Sequence, residues 1–309
     1  MIYIKDLMSG LDIFKALGSE IRIQILELLA VQGQSMNDIA SKLNLSNGTI
    51  TMHIRKLEEC GLVEINTVSG KHGTRKMCYL NKEKLMVDLR SREQKNVYEV
   101  EIRIGHYSNY QAVPTCGLVT KDSIIGDFDD PRYFADPARL DSEMIWMAEG
   151  FLEYRIPNYL KANQSFTEIQ FSAELGSEAP CYCEDYPSDI CFHINGIAIG
   201  HWTSPGDFGA VPGVLNPDWW PPHLNQYGML KLIRINQHGS FIDGCRISEV
   251  TIDDIGLDYK SDITLRLSVS DQSQNKGGLT IFGKRFGNFG QDLLVRVLYD
   301  VHEEDNSNS

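Results

Sequence analysis

Apolar residues recur at helical spacing near the start of the chain. In residues 20–30 four apolar residues recur at helical spacing, namely Ile21, Ile25, Leu28 and Leu29. Ser19 stands just ahead of them as a candidate N-cap. This spacing predicts a first amphipathic helix with a buried stripe.

A second, shorter helix is predicted a few residues later. Ser35 and Asp38 have the spacing of a capping box, in which each side chain accepts a hydrogen bond from the backbone N–H of the other residue. Ile39, Ala40 and Leu43 then supply an apolar stripe.

The third helix carries the chemistry of this region. Ile50, Ile54 and Leu57 recur behind the candidate N-cap Ser46, and Gly61 ends the pattern. The opposite face and its flanks hold Asn47, Gly48, Thr49, Thr51, Met52, Arg55 and Lys56. Small and polar residues followed by two cations suit entry into the major groove of DNA. We therefore predict that this helix reads DNA.

Two β-like runs follow, at residues 62–68 and 75–80, with a glycine-containing turn between them. This pattern predicts a hairpin, or wing, next to the third helix. Its basic tip offers side chains for phosphate contacts, namely Lys71, His72, Arg75 and Lys76.

Beyond residue 95 the pattern changes from helical spacing to alternation. In residues 262–270 apolar and polar side chains alternate, as in a strand with one buried face. Similar runs, at least eight in all, predict a β-sandwich of the jelly-roll kind. The predicted fold class is therefore α+β with two domains. We place the winged helix-turn-helix at 1–95, the all-β sandwich at 96–300 and a disordered acidic tail at 301–309.

The charge distribution supports this division. The chain has a net charge of -13, but residues 1–95 carry 14 Lys/Arg against 11 Asp/Glu. The remainder carries 15 against 31, so only the N-terminal part suits phosphates. There is no long apolar run or signal-peptide pattern, and the seven cysteines are scattered, so we expect a cytoplasmic protein with reduced thiols and no membrane partner.

A long loop at residues 201–228 contains three of the four tryptophans. Flat aromatic faces with carboxylates and amides beside them commonly hold sugar rings. On this ground we predict an effector site formed by Trp202, Asp207, Trp219, Trp220, Asn225 and Tyr227. The alternative is that the loop packs its own aromatics as a cap over the sandwich.

The N-terminal motifs resemble a known family. ALGSEIRIQILELLA, then SMNDIASKLNLSNGTITMHIRKLEECGLVE and the wing are similar to an ArsR-type winged-helix repressor domain over about residues 10–80. The resemblance implies a homodimer on a pseudo-palindromic operator. It also implies that Ser46, Asn47, Thr49, Thr51 and Arg55 face the DNA.

The C-terminal part resembles a second, looser family. INGIAIGHWTSPGDFG and IFGKRFGNFGQD are similar to a galactose-binding-like carbohydrate module over about residues 150–300. This resemblance implies a sugar or glycoside effector in contact with Trp202, Asp207, Trp219 and Trp220.

Other chemistries have weaker support in the sequence. The second helix lacks cysteine and the segment after the wing lacks histidine, so we expect neither a metal nor another cofactor. His53 lies near the buried stripe and is interpreted as a packed side chain. No catalytic motif stands out, so we expect no enzyme activity.

The sequence thus predicts a transcriptional regulator, and by family default a repressor. We expect a small molecule such as a sugar to control its binding to operator DNA. Three alternatives stay open for the β domain: a dimerisation or protein-interaction scaffold, a metal sensor and a glycosidase-like enzyme.

Overall fold

A computed structural model gives the fold of the chain. It describes residues 2–4, 7–70, 73–81, 85–87, 96–270 and 272–302. The chain divides into two compact units, residues 1–94 and 95–309. No helix among the described residues has the length and apolar character that a membrane span requires.

In its described residues the smaller unit combines four helices with short strands. Its elements are β1 (Ile2–Ile4), α1 (Leu11–Leu17), α2 (Glu20–Val31), β2 (Gln34–Ser35), α3 (Met36–Leu43), α4 (Asn47–Glu59), β3 (Val63–Gly70), β4 (Gly73–Leu80) and β5 (Leu85–Val87). Strand β4 pairs with β3 and β2, whereas β1 pairs in parallel with β5. The antiparallel β3–β4 hairpin is the predicted wing. The helix α1 was not among the predicted elements.

Local hydrogen bonds set the turn between α3 and α4. Ser35 and Asp38 form the predicted capping box, and the Ser46 side chain caps α4. Between the two helices Asn44 has a positive φ of 53°, and its N–H donates to the carbonyls of Ala40 and Ser41. Asparagine tolerates this left-handed conformation, so the chain reverses here at little cost.

The larger unit consists almost entirely of strands. They are β6 (Asn96–Ile102), β7 (Asn109–Val119), β8 (Met144–Ile156), β9 (Gln164–Gly176), β10 (Ser188–Ile194), β11 (Ile197–Ser204), β12 (Met229–Asn236), β13 (Gly239–Ile242), β14 (Cys245–Ser248), β15 (Ile263–Val269), β16 (Leu279–Phe282) and β17 (Leu293–Val301). Its described residues also form one short helix, α5 (Ile252–Ile255), and two 3₁₀ helices, Pro131–Ala135 and Pro137–Asp141. The predicted α+β, two-domain fold class is confirmed.

Two layers pack face to face in this unit. One contains β7, β8, β15, β10 and β11, and the other contains β6, β17, β9, β12, β13 and β14. Strand β16 pairs with both β8 and β9, which joins the layers along one side. Alternate apolar side chains from both layers fill the core between them.

The sequence prediction of the strands was right in most places. The hairpin at Asn195–Gly196 has the two positive φ values, 47° and 80°, that its turn type requires. The run predicted as one strand at 245–252 was wrong, because β14 ends at Ser248 and the Thr251 side chain caps α5. Strands β7, β13 and β16 were not predicted.

The core of the larger unit gives a test of its packing. Phe171 on β9 is fully buried, so we expect Phe171→Ala to lower the free energy of unfolding by about 3–5 kcal/mol. Val214 is 73% exposed, and Val214→Ala is the matched control with an expected change of about 0.5 kcal/mol or less. Urea denaturation measures both, and equal effects would contradict the described core.

Candidate DNA interface and effector site

Helix α4 is anchored by one face and exposes the other. Ile50, Ile54 and Leu57 are fully buried, and His53 is nearly so. Burial, together with the nearby Arg22, lowers the pKa of His53, so its packed imidazole is neutral at pH 7. Of the predicted DNA-facing residues, Asn47, Gly48, Met52, Arg55 and Lys56 are exposed and Thr49 and Thr51 are half-buried; Glu58 and Glu59 at the end of the helix are exposed as well.

Three of the predicted DNA-facing hydroxyls already have partners in the unit itself. Ser46 Oγ accepts a hydrogen bond from the Thr49 N–H at 3.2 Å and lies 2.8 Å from Thr49 Oγ1. Thr51 Oγ1 donates to the carbonyl of Asn47 at 2.8 Å. These bonds order the first turn of α4, which sets the direction in which the helix presents its exposed side chains.

The two cations of α4 differ in their surroundings. Lys56 Nζ lies 2.9 Å from Glu59 Oε2, and this hydrogen bond raises the pKa of Lys56. Among the described residues Arg55 has no ion-pair partner. Arg55 is therefore the α4 cation that is most available to an external anion.

A shallow polar groove lies beside the start of α4, between it and α3. Exposed amide and hydroxyl side chains line it, namely Asn37, Ser41, Asn44, Ser46 and Asn47. Such groups are typical partners of DNA phosphates. The sequence prediction missed Asn37, Ser41 and Asn44, although all three are short polar residues at the outer surface of α3 and its C-cap.

The wing is only partly described. Lys76 is exposed on β4. Lys71, His72 and the side chain of Arg75 lie outside the described residues.

The tryptophan-rich loop buries part of its own aromatic surface. Trp220 is buried and packs edge-to-face against Trp146 and Phe286, and its indole N–H donates to the carbonyl of Asn225 at 2.8 Å. Trp219 lies next to it, is 36% exposed and donates to the carbonyl of Lys121 at 2.6 Å. This part of the loop is a cap over a second apolar cluster.

The loop's polar candidates form a buried network. Asp207 accepts a hydrogen bond from the Ala179 N–H at 3.0 Å, and Asn225 donates to Glu178 Oε2 at 3.3 Å. Burial raises the pKa of Glu178 well above its ordinary value, and the charge of Asp207 raises it further. Burial also raises the pKa of Asp207 to about 7. Sequence reasoning missed Glu178, which no motif distinguished.

The remaining two candidates, Tyr227 and Trp202, have different contacts. Tyr227 is half-buried and stacks on Phe208 with 5.3 Å between ring centroids. Trp202 on β11 packs against the main core, and Lys231 Nζ lies 4.4 Å from its ring centroid. Asp207 and Asn225 are thus brought together around Glu178, Trp219 and Trp220 form a pair, and Trp202 has a different set of contacts.

The two buried carboxyl groups, Glu178 and Asp207, can be compared with the pair that a glycosidase uses. Glycoside hydrolysis needs two carboxyl groups that flank an open substrate site. Glu178 and Asp207 are instead buried and bonded to Thr115, Asn225 and the Ala179 backbone. Their arrangement is that of a structural network.

The described residues contain no group of three or more His, Cys, Asp or Glu side chains placed to hold a metal ion. Cys181 and Cys183 are exposed, free thiols on the loop between β9 and β10. Cys78 is buried, and burial raises the pKa of its thiol to about 11.

Comparison with known sequences finds a family match in the smaller unit. The sequence model of "Bacterial regulatory protein, arsR family" matches residues 19–64. An uncharacterized HTH-type transcriptional regulator of Methanocaldococcus jannaschii is 38% identical over 64 residues, which are 20% of this chain and 67% of the relative. The chain belongs to the ArsR family.

A second relative matches a shorter part of this ArsR-family protein. An uncharacterized protein of the same organism is 43% identical over 51 residues, which are 16% of this chain. The chain spans 55% of that relative's length. Each of the two matches covers a fifth or less of the ArsR-family chain.

Solved structures similar to the ArsR-family chain fall into two groups. A homodimeric winged helix-turn-helix domain from Mycobacterium bovis is 28% identical and covers 23% of this chain and 62% of that one, with a TM-score of 0.21. The carbohydrate-binding module CBM51 from Clostridium perfringens, solved with methyl-galactose, is 9% identical and covers 64% of this chain and 99% of that one, with a TM-score of 0.26.

The raised pKa of the buried Asp207 predicts how the stability of the protein changes with pH. Its pKa is about 7 in the folded protein against 3.8 ordinarily, so the folded state holds a proton that the unfolded state loses. The wild-type free energy of unfolding should therefore fall, relative to Asp207→Asn, as the pH rises from about 4 to about 7, by up to about 4 kcal/mol. Urea denaturation from pH 4 to pH 8 measures the difference. Asp122→Asn, at an exposed position, is the control. If the difference in free energy of unfolding between wild type and Asp207→Asn did not change with pH, the raised pKa of Asp207 would be refuted.

Proposed function

We propose that this ArsR-family protein is a transcriptional regulator that binds an operator duplex with α4 in the major groove. The observation that carries the proposal is the geometry of α4, whose apolar face is buried while Gly48, Met52 and Arg55 stay exposed. A helix held in this way presents short side chains first and a guanidinium one to two turns later, which suits contact with base edges.

The proposal assigns phosphate contacts to the surroundings of α4. The groove residues Asn37, Ser41 and Asn44 flank its start, and the wing residue Lys76 is exposed. We propose a homodimer, because two copies of α4 about one turn of DNA apart would read a pseudo-palindromic site. The proposed place of action is the cytoplasm.

Arg55→Ala tests the role of α4. Loss of one guanidinium from the groove should weaken operator binding about 10- to 100-fold, with the unfolding midpoint unchanged. The operator is first selected from a random duplex library with the full chain, and affinity is then measured by fluorescence anisotropy at fixed salt. The control is Arg132→Ala, which removes an exposed cation from the larger unit. Equal affinities of wild type and Arg55→Ala would remove α4 from its proposed role.

We further propose that the larger unit binds a small molecule, a sugar, that releases the protein from its operator. For this the ligand must bind one dimer geometry more tightly than another, because equal affinity for both shifts no equilibrium. Of the loop tryptophans, Trp219 keeps the largest exposed aromatic surface and is the proposed loop contact.

Titration of the protein–operator complex with neutral sugars tests this control. We expect at least one sugar to lower operator affinity at unchanged ionic strength, and the same sugar should leave a fragment of residues 1–94 bound if that fragment folds alone by circular dichroism. Unchanged affinity of the full chain across the panel would refute ligand control and leave the DNA-binding proposal standing.

One observation favours a second candidate for the larger unit, a dimerisation or protein-interaction scaffold. The loop exposes apolar side chains at Val211, Val214, Leu215 and Trp219. Exposed apolar groups of this kind are typical of contact surfaces. Val214→Asp should then lower the sedimentation coefficient of the full chain at micromolar concentration, whereas an unchanged coefficient would disfavour the scaffold.

A further inference from the structure

Two cysteines on the loop between β9 and β10 are separated by a single residue. Cys181 and Cys183 are both free thiols, and both are exposed to solvent. The Cys183 thiol donates a weak hydrogen bond to the carbonyl of Asp185, with 3.4 Å between sulfur and oxygen. Exposure is the first condition for a thiol to react with a small molecule, and both members of the pair meet it.

Four of the other five cysteines are less suited to reaction. Cys78 and Cys116 are buried, and burial raises the pKa of their thiols to about 11 and about 12. Cys60 and Cys191 are half-buried, and burial raises the pKa of these thiols as well. Because the thiolate is the nucleophile, these four react slowly at neutral pH. The fifth, Cys245 on β14, is exposed but has no second cysteine close to it in sequence.

The spacing of Cys181 and Cys183 permits a disulfide between them. Two peptide units span about 7 Å at most, and the Cα atoms of a disulfide are usually about 4.4–6.8 Å apart. A bond between the two sulfurs therefore needs only a small adjustment of the backbone at Tyr182. The small ring that results would fix the backbone of Tyr182 from both sides.

The backbone around this pair contacts the start of the tryptophan-rich loop. The Asp207 N–H donates to the Cys183 carbonyl at 2.8 Å. The Tyr182 ring packs directly on Gly209, where a Cβ would collide with it. A change of backbone conformation at Tyr182 and Cys183 therefore acts on Asp207 and Gly209 without an intermediate contact.

We propose that Cys181 and Cys183 form a reversible disulfide when the protein meets a hydroperoxide, and that this bond alters the contact with the tryptophan-rich loop. The inference goes beyond the proposed function, because it adds a site of covalent modification to the larger unit. A disulfide of this kind is formed and reduced in response to its surroundings, unlike the permanent bonds of secreted proteins.

The reaction takes place in two steps. One thiolate attacks the peroxide, the O–O bond breaks, and the sulfur becomes a sulfenic acid while the hydroxide that leaves is protonated to water. The second thiolate attacks this sulfur, the S–O bond breaks and the S–S bond forms, and a second hydroxide leaves and is protonated to water. The two sulfurs thus lose two electrons, which reduce the peroxide. A small-molecule dithiol reverses the change by thiol–disulfide exchange.

Peroxide treatment of the reduced full chain tests whether the bond forms. After treatment with hydrogen peroxide and blocking with N-ethylmaleimide, we expect the peptide that contains both cysteines to carry no maleimide and to weigh about 2 Da less than its reduced form. Dithiothreitol should restore two reactive thiols in that peptide. Maleimide on both Cys181 and Cys183 after treatment, or a disulfide from either of them to Cys245 or to a second copy of the chain, would overturn the proposal.

Matched serine variants identify the two partners. In Cys183→Ser the first step has no second thiol to follow it, so dimedone should label Cys181 as a sulfenic acid and no disulfide peptide should appear. Cys181→Ser should likewise lose the disulfide peptide, whereas Cys245→Ser, at an exposed cysteine of β14, should retain it. If one of the two loop variants does not fold by circular dichroism, the other serves alone. Retention of the disulfide peptide's maleimide resistance in either loop variant without dimedone labelling would contradict the pairing.

Hydrogen–deuterium exchange tests the effect on the tryptophan-rich loop. In the oxidised full chain we expect the amides of residues 206–210 to exchange at least about threefold faster than in the reduced chain, because the disulfide changes the backbone that holds the Asp207 N–H. Reduction with dithiothreitol should restore the slower exchange, and Cys245→Ser should behave as wild type does. Equal exchange by the oxidised and reduced chains would overturn the link to the loop. These measurements use neither DNA nor sugar, so their failure is distinguishable from failure of the proposed function.

Discussion

The larger unit depends on two long strands that are hydrogen-bonded along both edges. Strand β8 pairs with β7 on one side and with β16 and then β15 on the other, and β9 is arranged in the same way between β12 and the pair β17 and β16. At Gly150, where β8 changes neighbours, a Cβ would lie 1.9 Å from the Gln111 carbonyl oxygen, so only glycine fits. Because β16 is shared, the two layers close around one core and few backbone groups of the central strands are left to solvent.

Closure of the layers also decides where polar groups can be buried. Glu174 accepts hydrogen bonds from the backbone N–H groups of Gly228, Asn288 and Phe289, which ties two loops to the end of β9. The tryptophan-rich loop is tied to the segment after β9 by two bonds, in which the Asn225 amide donates to Glu178 and the Ala179 N–H donates to Asp207. Burial of these two carboxyl groups raises their pKa values. This loop is thus held by buried polar contacts as well as by its aromatic packing. Its ordered conformation leaves Trp219 and the neighbouring valines at the surface.

The proposed function of the smaller unit depends on a single helix, α4, that has one buried face and one exposed face. The apolar stripe of α4 fixes the rotation of the helix, and the Ser46 cap fixes its first turn. Arg55 then points outward as a geometric consequence of Ile54 and Leu57 pointing inward. For this reason the proposed DNA-reading surface was accessible to periodicity arguments, and the buried polar contacts of the tryptophan-rich loop were not.

The sequence by itself determined the local elements: the capping box at Ser35, the cap at Ser46, the α4 stripe, the Asn195–Gly196 hairpin and the alternating strands. Each depends on residues within a few positions of one another, and such interactions are readable from spacing. Only the tertiary structure decided that Trp220 and Asn225 are buried, that Glu178 lies beside Asp207, and that Tyr182 packs on Gly209. These neighbours are separated by tens of residues, and strand register and layer packing, which no short pattern encodes, bring them together.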